Sequence, residues 1–263
     1  MNIPFFQVDA FADQVLRGNP AAVCLLEDWL TDSVMQQMAA EHNQAETVFV
    51  RKEGNGKFGL RWFTPGVEVD LCGHATLAAA FVLFNEGAVN SSVTFDTRSG
   101  SLTVQKVGDL FIMDFPAMVP EPCAPPDGLL DALNITHCSK VLKARDHVVV
   151  LESQQAVLGV TPDMQQLRKF DWVVVTAPGD VADCVSRFFA PGAGVPEDPV
   201  TGSAHCTLAP YWCEELGKRT LHARQISSRG GDIFCEYQGD RVKLAGQAVL
   251  YSKGTIYLSG GVE

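Results

Sequence analysis

The sequence is short of the features that announce most chemistries. Its eight cysteines stand at 24, 72, 123, 138, 184, 206, 213 and 235, and no two form a C-x-x-C pair. Neither a zinc ribbon nor a dithiol redox motif can be read from that spacing. The six histidines contain no H-x-x-x-H pair, so a helical metal site is not expected. No G-K-[ST] loop is present, and no nucleotide cofactor is expected. Without a G-x-S-x-G elbow there is no sign of a serine nucleophile either.

Positive charge is also scarce. Lys and Arg number 20 against 31 Asp and Glu, a formal net charge of −11. Such a chain has no basic stripe to neutralise phosphates, which excludes a nucleic-acid partner. A small anionic substrate stays open, because backbone amides supply local positive potential inside an acidic protein. The start MNIPFFQVDAFADQV lacks a basic n-region and an apolar h-region. Reduced thiols and a cytoplasmic location are therefore expected. The longest apolar stretch, Ala75 to Phe84, falls well short of the ~20 residues that span a bilayer, so no membrane partner is expected.

What is present is a globular pattern, 46% hydrophobic and 19% charged. Short runs read as strands: Lys57–Thr64, Ser92–Thr97, Ser101–Val107, Asp109–Phe115, His147–Leu151, Ala156–Val160, Trp172–Thr176, Asp232–Tyr237, Arg241–Ala245 and Gly254–Leu258. Gly-rich turns such as Glu53–Gly56 separate several of them. Asp32–His42 reads as an amphipathic helix capped by Thr31 or Asp32. Two further helices begin at Gly73 and Gly202, and the first is apolar nearly all round. A helix of that kind belongs inside a core.

An internal repeat organises these elements. Arg61-Trp62-Phe63-Thr64-Pro65-Gly66-Val67-Glu68-Val69 aligns with Arg187-Phe188-Phe189-Ala190-Pro191-Gly192-Ala193-Gly194-Val195 at a constant offset (187 − 61 = 126), with five identities. After a three-residue insertion, Gly73-His74-Ala75 meets Gly202-Ser203-Ala204 (202 − 73 = 129). Each half reads as strand, turn, glycine and buried helix. The expected division is 1–116, with its helix over 73–86, and 117–263, with its helix over 202–216. Paired halves of this kind place matching helix N-termini toward a shared pocket.

A helix N-terminus leaves amides unpaired and favours an anion. Gly73 and Gly202 suit close approach of such a ligand, and equally suit a tight strand-to-helix turn. Around the two turns stand Asp70, Cys72 and His74 in one half, and Glu197, Asp198, Ser203 and His205 in the other. Taken singly, each reads as readily as a cap or core residue. Their recurrence at one place in both copies is what points to chemistry. Glu46, at the start of Thr47–Val50, is the remaining carboxylate of interest.

The motifs RGNPAAV at 17–23, ETVFV at 46–50, FTPGVEVDLCGHAT at 63–76 and EDPVTGSA at 197–204 together resemble the phenazine-biosynthesis isomerase-like (PhzF) family, of the diaminopimelate epimerase-like fold. The resemblance implies an α+β protein of two pseudo-symmetric halves, each a curved, mainly antiparallel sheet around a central helix. It also implies an active site in the cleft between them, isomerisation without metal or organic cofactor, and a homodimer. Carried over residue by residue, it gives catalytic roles to Glu46, His74 and Asp198. Substrate binding falls to Ser203 with the amides at Gly73 and Gly202. The stretch 117–187 matches weakly, and selectivity for the small anionic substrate is expected there.

The expected reaction is proton movement by Glu46, helped if burial raises its pKa. A two-base epimerase and a silent ligand-binding protein are the alternatives. Against the first, the repeat puts Thr201 opposite Cys72, so Cys72 is expected only to pack beside the turn.

Overall fold

The structure, a computed structural model, describes residues 1–54 and 56–258. In chain order it runs β1 (Asn2–Ala10), β2 (Asn19–Leu26), α1 (Asp32–His42), β3 (Glu46–Gly54), β4 (Lys57–Phe63), β5 (Glu68–Val69), α2 (Gly73–Asn85), β6 (Ser92–Thr97), β7 (Gly100–Val107) and β8 (Leu110–Pro116). It continues through β9 (Glu121–Pro122), α3 (Leu129–Ala132), β10 (Lys140–Lys143), β11 (His147–Val150), α4 (Gln154–Leu158), α5 (Met164–Leu167), β12 (Val173–Pro178) and β13 (Cys184–Ala190). It closes with β14 (Val195–Asp198), α6 (Gly202–Leu216), β15 (Thr220–Gln225), β16 (Gly231–Tyr237), β17 (Arg241–Gly246) and β18 (Ala248–Tyr257).

Two compact units result. One holds Met1–Asp114 with Ala245–Glu263, the other Phe115–Leu244. The first junction lies between Asp114 and Phe115. The return of the C-terminal segment to the first unit departs from the expected division. Its cause is β18, which pairs antiparallel with β1 from Asn2↔Tyr257 to Ala10↔Ala248. Backbone pairing of that length outweighs sequence proximity.

In the first unit β1 lies antiparallel to β2, β2 parallel to β3, β3 antiparallel to β4, β4 parallel to β6, and β6 antiparallel to β7. In the second, β10 lies antiparallel to β11, β11 parallel to β12, β12 antiparallel to β13, β13 parallel to β15, and β15 antiparallel to β16. The order of pairings recurs. The pairing is mixed but mainly antiparallel, and each of the four parallel neighbours β2/β3, β4/β6, β11/β12 and β13/β15 needs a crossover. The helices α1, α2, α4, α5 and α6 lie on those connections.

Register carries the repeat to single residues. Thr47 stands opposite Phe63 and Val173 opposite Phe189, so both members are offset by 126 (173 − 47, 189 − 63). Arg61 forks onto Glu68 at 2.7 and 2.7 Å, and Arg187 onto Glu197 at 2.8 and 2.9 Å. Here the arginines differ by 126 but the glutamates by 129 (197 − 68). The three-residue insertion therefore precedes Glu197, in the loop containing the 3-10 turn Pro191–Ala193. Glu68 matches Glu197, and not Gly194 as the ungapped alignment has it.

Thr31 caps α1 by accepting from the Val34 amide, and Val34, Met35, Met38 and Ala39 form its buried face. In α2 every residue from His74 to Ala80 is buried, with Val82 and Leu83, and the helix lies against β1, β2, β3 and β18. One expected strand is a helix: Ala156–Val160 falls largely in α4, which Ser153 starts by accepting from the Ala156 amide. A five-residue apolar run has no period long enough to separate the two states. Gly54 to Gly59 has the G-x-G-x-x-G spacing, but it joins β3 to β4 antiparallel and opens no helix, so it forms no dinucleotide fingerprint. The Asn55 of that expected turn lies outside the described residues. Among the described residues no helix is long and apolar enough to cross a membrane.

Candidate active site

At the head of α2 three side chains cluster. Glu46, the first residue of β3, puts Oε2 3.1 Å from His74 Nε2. The other ring nitrogen, Nδ1, lies 3.4 Å from Cys72 Sγ. The Glu46 side chain is 18% exposed and that of His74 is 7% exposed. Glu46 and His74 stand at ion-pair distance, yet Nε2–H is not aimed along a straight hydrogen bond. Parallel pairing of β2 with β3 places Glu46 beside Ala21, and the glycine turn at Gly73 brings His74 round to meet it.

Charges settle within that cluster. Burial alone would raise the Glu46 carboxyl, but the His74 charge 3.1 Å away and a hydrogen bond from Cys72 bring it below its ordinary value. Burial would lower His74, yet the opposing effects of Cys72 and Glu46 hold it well above 6.5. Burial and the Glu46 charge raise the Cys72 thiol. The lowered carboxyl and the raised thiol favour a carboxylate and a neutral thiol on either side of the His74 ring.

The three donor atoms lie within 4.8 Å of one another, so ligating side chains do assemble where the spacing of Cys and His gave no sign of it. Glu46 and Cys72 meet opposite nitrogens of the His74 ring, so an ion held by all three could use one of those nitrogens only.

The head of α6 is built differently. The Asp198 carboxylate accepts from Thr201 Oγ1. Gln225 clamps the turn, its Oε1 accepting from the Thr201 amide at 2.9 Å and its Nε2 donating to the Asp198 carbonyl at 2.7 Å. Ser203 Oγ accepts from Arg145 Nη2 at 3.0 Å. Arg145 forks onto fully buried Asp146 at 2.6 and 2.8 Å.

Neither Cys72 nor Thr201 caps its helix through the side chain, whereas Thr31, Ser153 and Asp163 cap α1, α4 and α5. A Cβ added to Gly73 would meet nothing within 4 Å.

Other candidates fall away. Glu197 is taken up by Arg187. His205 is fully buried; burial lowers it to about 4 against the hydrogen bond to Thr201, so its neutral ring donates from Nδ1 to the Thr201 carbonyl at 2.8 Å. Asp70 is exposed. Conversely, the contact of Cys72 with His74 and the Arg145–Asp146–Ser203 chain are absent from the sequence expectations. The first follows from i, i+2 proximity across the turn. The second lies in the poorly matched 117–187 stretch, where no signal marks it.

The chain matches the family described as phenazine biosynthesis-like protein over residues 8–254. It is 51% identical over 261 residues to an uncharacterized isomerase of Pseudomonas aeruginosa, covering 98% of this chain and 100% of that relative. A crystal structure of a PhzF-family phenazine biosynthesis protein from Enterococcus faecalis superposes with a TM-score of 0.95 at 46% identity, covering 98% of this chain and 100% of the other. A hydroxyproline epimerase from Agrobacterium vitis shares the fold alone, with a TM-score of 0.62 at 9% identity over 97% and 92% of the two chains. Motifs, fold and relatives agree, and the chain belongs to the phenazine biosynthesis-like family, that of these named isomerases.

Proposed function

We propose that the protein is an isomerase that moves a proton on a small carboxylate-bearing substrate, with Glu46 as the proton-transfer group and no organic cofactor or metal. One observation carries the reading: a largely buried carboxylate 3.1 Å from a buried imidazole at a helix N-terminus that has no side-chain cap. The isomerase names of the relatives support the reaction class. The same reading takes the chain as two pseudo-symmetric halves, each curved around its central helix, on a diaminopimelate epimerase-like fold. Recurring strand pairings and the matched Arg–Glu forks support it. A cytoplasmic homodimer belongs to the proposal as well.

In the resting pair, His74 makes Glu46 a weak base. A substrate carboxylate drawn to the imidazolium and the amides at Gly73 shares that charge and loosens its hold on Glu46. The carboxyl then rises toward the range in which a general base works. Glu46 takes the proton from an activated carbon and returns it elsewhere on the same face. His74 polarises the substrate or relays the proton. Asp198 keeps an assisting catalytic role, while Ser203 and the Gly202 amide hold the substrate carboxylate.

A two-thiol epimerase finds support in the contact of Cys72 with His74. Its second thiol is missing, since Thr201 occupies the matching place and its hydroxyl, committed to Asp198, is far too weak an acid. The test is incubation in D₂O with cyclic hydroxy-amino acids and dihydroaromatic acids, read by mass spectrometry. The reading predicts deuterium gain in one compound class. Saturable binding without exchange would make the protein a ligand-binding relative instead.

A further inference from the structure

The Cys72 thiol lies among groups that ligate metals. Its Sγ stands 3.4 Å from His74 Nδ1 and donates a hydrogen bond to the Glu46 carboxylate. One oxygen of Glu46, one ring nitrogen of His74 and Sγ lie within 4.8 Å of one another, and among the described residues no other three His, Cys, Asp or Glu side chains gather so closely. Register and offset put Trp172, Thr201 and Ser203 at the matching places of the second unit (46 + 126, 72 + 129, 74 + 129). That set offers neither thiolate, imidazole nor carboxylate, so the ligand set belongs to the first unit alone.

The spacing suits one class of ion. Zinc bonds of about 2.3 Å to sulfur and about 2.1 Å to nitrogen set an edge of about 3.5 Å in a tetrahedral site. Nδ1 and Sγ are 3.4 Å apart. Thiolate, imidazole and carboxylate together are the donors of a borderline-soft cation, whereas Mg²⁺ and Ca²⁺ take oxygens. Buried Nε2 has no hydrogen-bond partner, although Glu46 Oε2 lies 3.1 Å away. The carboxylate therefore gives up no straight hydrogen bond to the ring when it turns onto an ion. Cys72 and His74 are buried and the Glu46 side chain is 18% exposed, which makes the carboxylate side the way in.

We propose that Glu46, Cys72 and His74 form an inhibitory binding site for zinc. The ion takes the place of the thiol proton, which passes to solvent together with any proton on Nδ1. Sulfur, Nδ1 and one carboxylate oxygen are its protein ligands, a fourth position stays with water, and no electrons move. The ion is an inhibitor and not a cofactor: it occupies the group that carries the proton and leaves the protein chemically unaltered. The inhibition rests on the reading of Glu46 as that group, while the site itself rests on the geometry alone. Cys72, for which proton transfer has no use, is the ligand that makes the site selective for a thiophilic ion.

The probe is Zn²⁺ alone, titrated against the full, reduced chain in competition with a chromophoric chelator, with Co²⁺ as a spectroscopic stand-in. Zinc should bind saturably, one ion per chain, and excess Mg²⁺ should not displace it. Bound cobalt should show a thiolate charge-transfer band that Cys72→Ala removes. Cys72→Ala and Glu46→Gln, which alter different elements, should each weaken zinc more than about a hundredfold, since even an outer-shell partner is worth about 10–100-fold. Saturating zinc should stop deuterium incorporation into substrate, and chelation should restore it. No saturable binding, a cobalt spectrum without the thiolate band, or zinc affinity unchanged in either variant overturns the site and leaves the proton-transfer reading standing. Zinc held through both residues while deuterium incorporation runs undiminished overturns the inhibition, and with it Glu46 as the proton carrier.

Discussion

The heads of α2 and α6 occupy matching places in the two units, yet they are equipped differently. At α2 a carboxylate, an imidazole and a thiol cluster. At α6 the neighbours are the Asp198 carboxylate bonded to a threonine, a serine, a glutamine and an arginine. The histidine nearest that second head, His205, is buried and lowered to about 4. On the proposed reading the first N-terminus moves the proton through Glu46, and the second holds the substrate with Asp198 assisting. The matching strand pairings carry different side chains at the two heads.

That division is open to breakage. Glu46→Gln keeps shape and hydrogen bonding but cannot take a proton, so kcat should fall by about 10²–10⁴-fold with little change in substrate affinity. Steady-state kinetics with near-normal kcat would remove Glu46 from the mechanism.

His74→Gln should cost about 10–100-fold in kcat/KM, the worth of one hydrogen bond to a charged group. It should also move the acidic limb of the pH–rate profile upward. Burial then acts on Glu46 without the imidazolium that now lowers it. An unmoved or lowered limb would contradict the pairing.

At the other head, Ser203→Ala should raise KM by about tenfold and leave kcat nearly intact. A fall in kcat with KM unchanged would place Ser203 among the proton-moving groups and blur the distinction. Cys72→Ala, measured in the same assay, should retain activity within about threefold, the thiol being neutral and its counterpart Thr201. Inactivation of a folded variant, with a thiolate in the profile, would favour a thiol mechanism.

The smallest effect is thermal. Glu46, lowered from 4.5, contributes stability above that value and loses it as pH falls through its folded pKa. His74, raised above 6.5, contributes fully below 6.5 and loses it as pH rises through its folded pKa. Their joint contribution is complete between 4.5 and 6.5, and His74→Gln should flatten the Tm profile on both flanks.

Legibility in the sequence followed locality. The α2 helix was readable because its apolar circumference needs no partner to identify it, and Gly73 marks its start. The constant offset of 126 was readable because Arg61, Phe63, Pro65, Gly66 and Val69 recur in one block. The departures are non-local. Pairing of β18 with β1 spans nearly the whole chain, and nothing in Gly254–Leu258 names its partner. Trp172 as the counterpart of Glu46 emerges only from register, since the two side chains share no chemistry. The direction of the Glu46 shift needed the distance to His74, because burial and a counter-charge act oppositely and their balance is geometric.

The central claim is tested most directly by solvent-deuterium incorporation at saturating substrate, compared in Glu46→Gln and Ser203→Ala. The account predicts that Glu46→Gln loses the label while Ser203→Ala regains the unaltered rate once substrate saturates. Label persisting in Glu46→Gln, or failing to recover in Ser203→Ala at saturation, would contradict it.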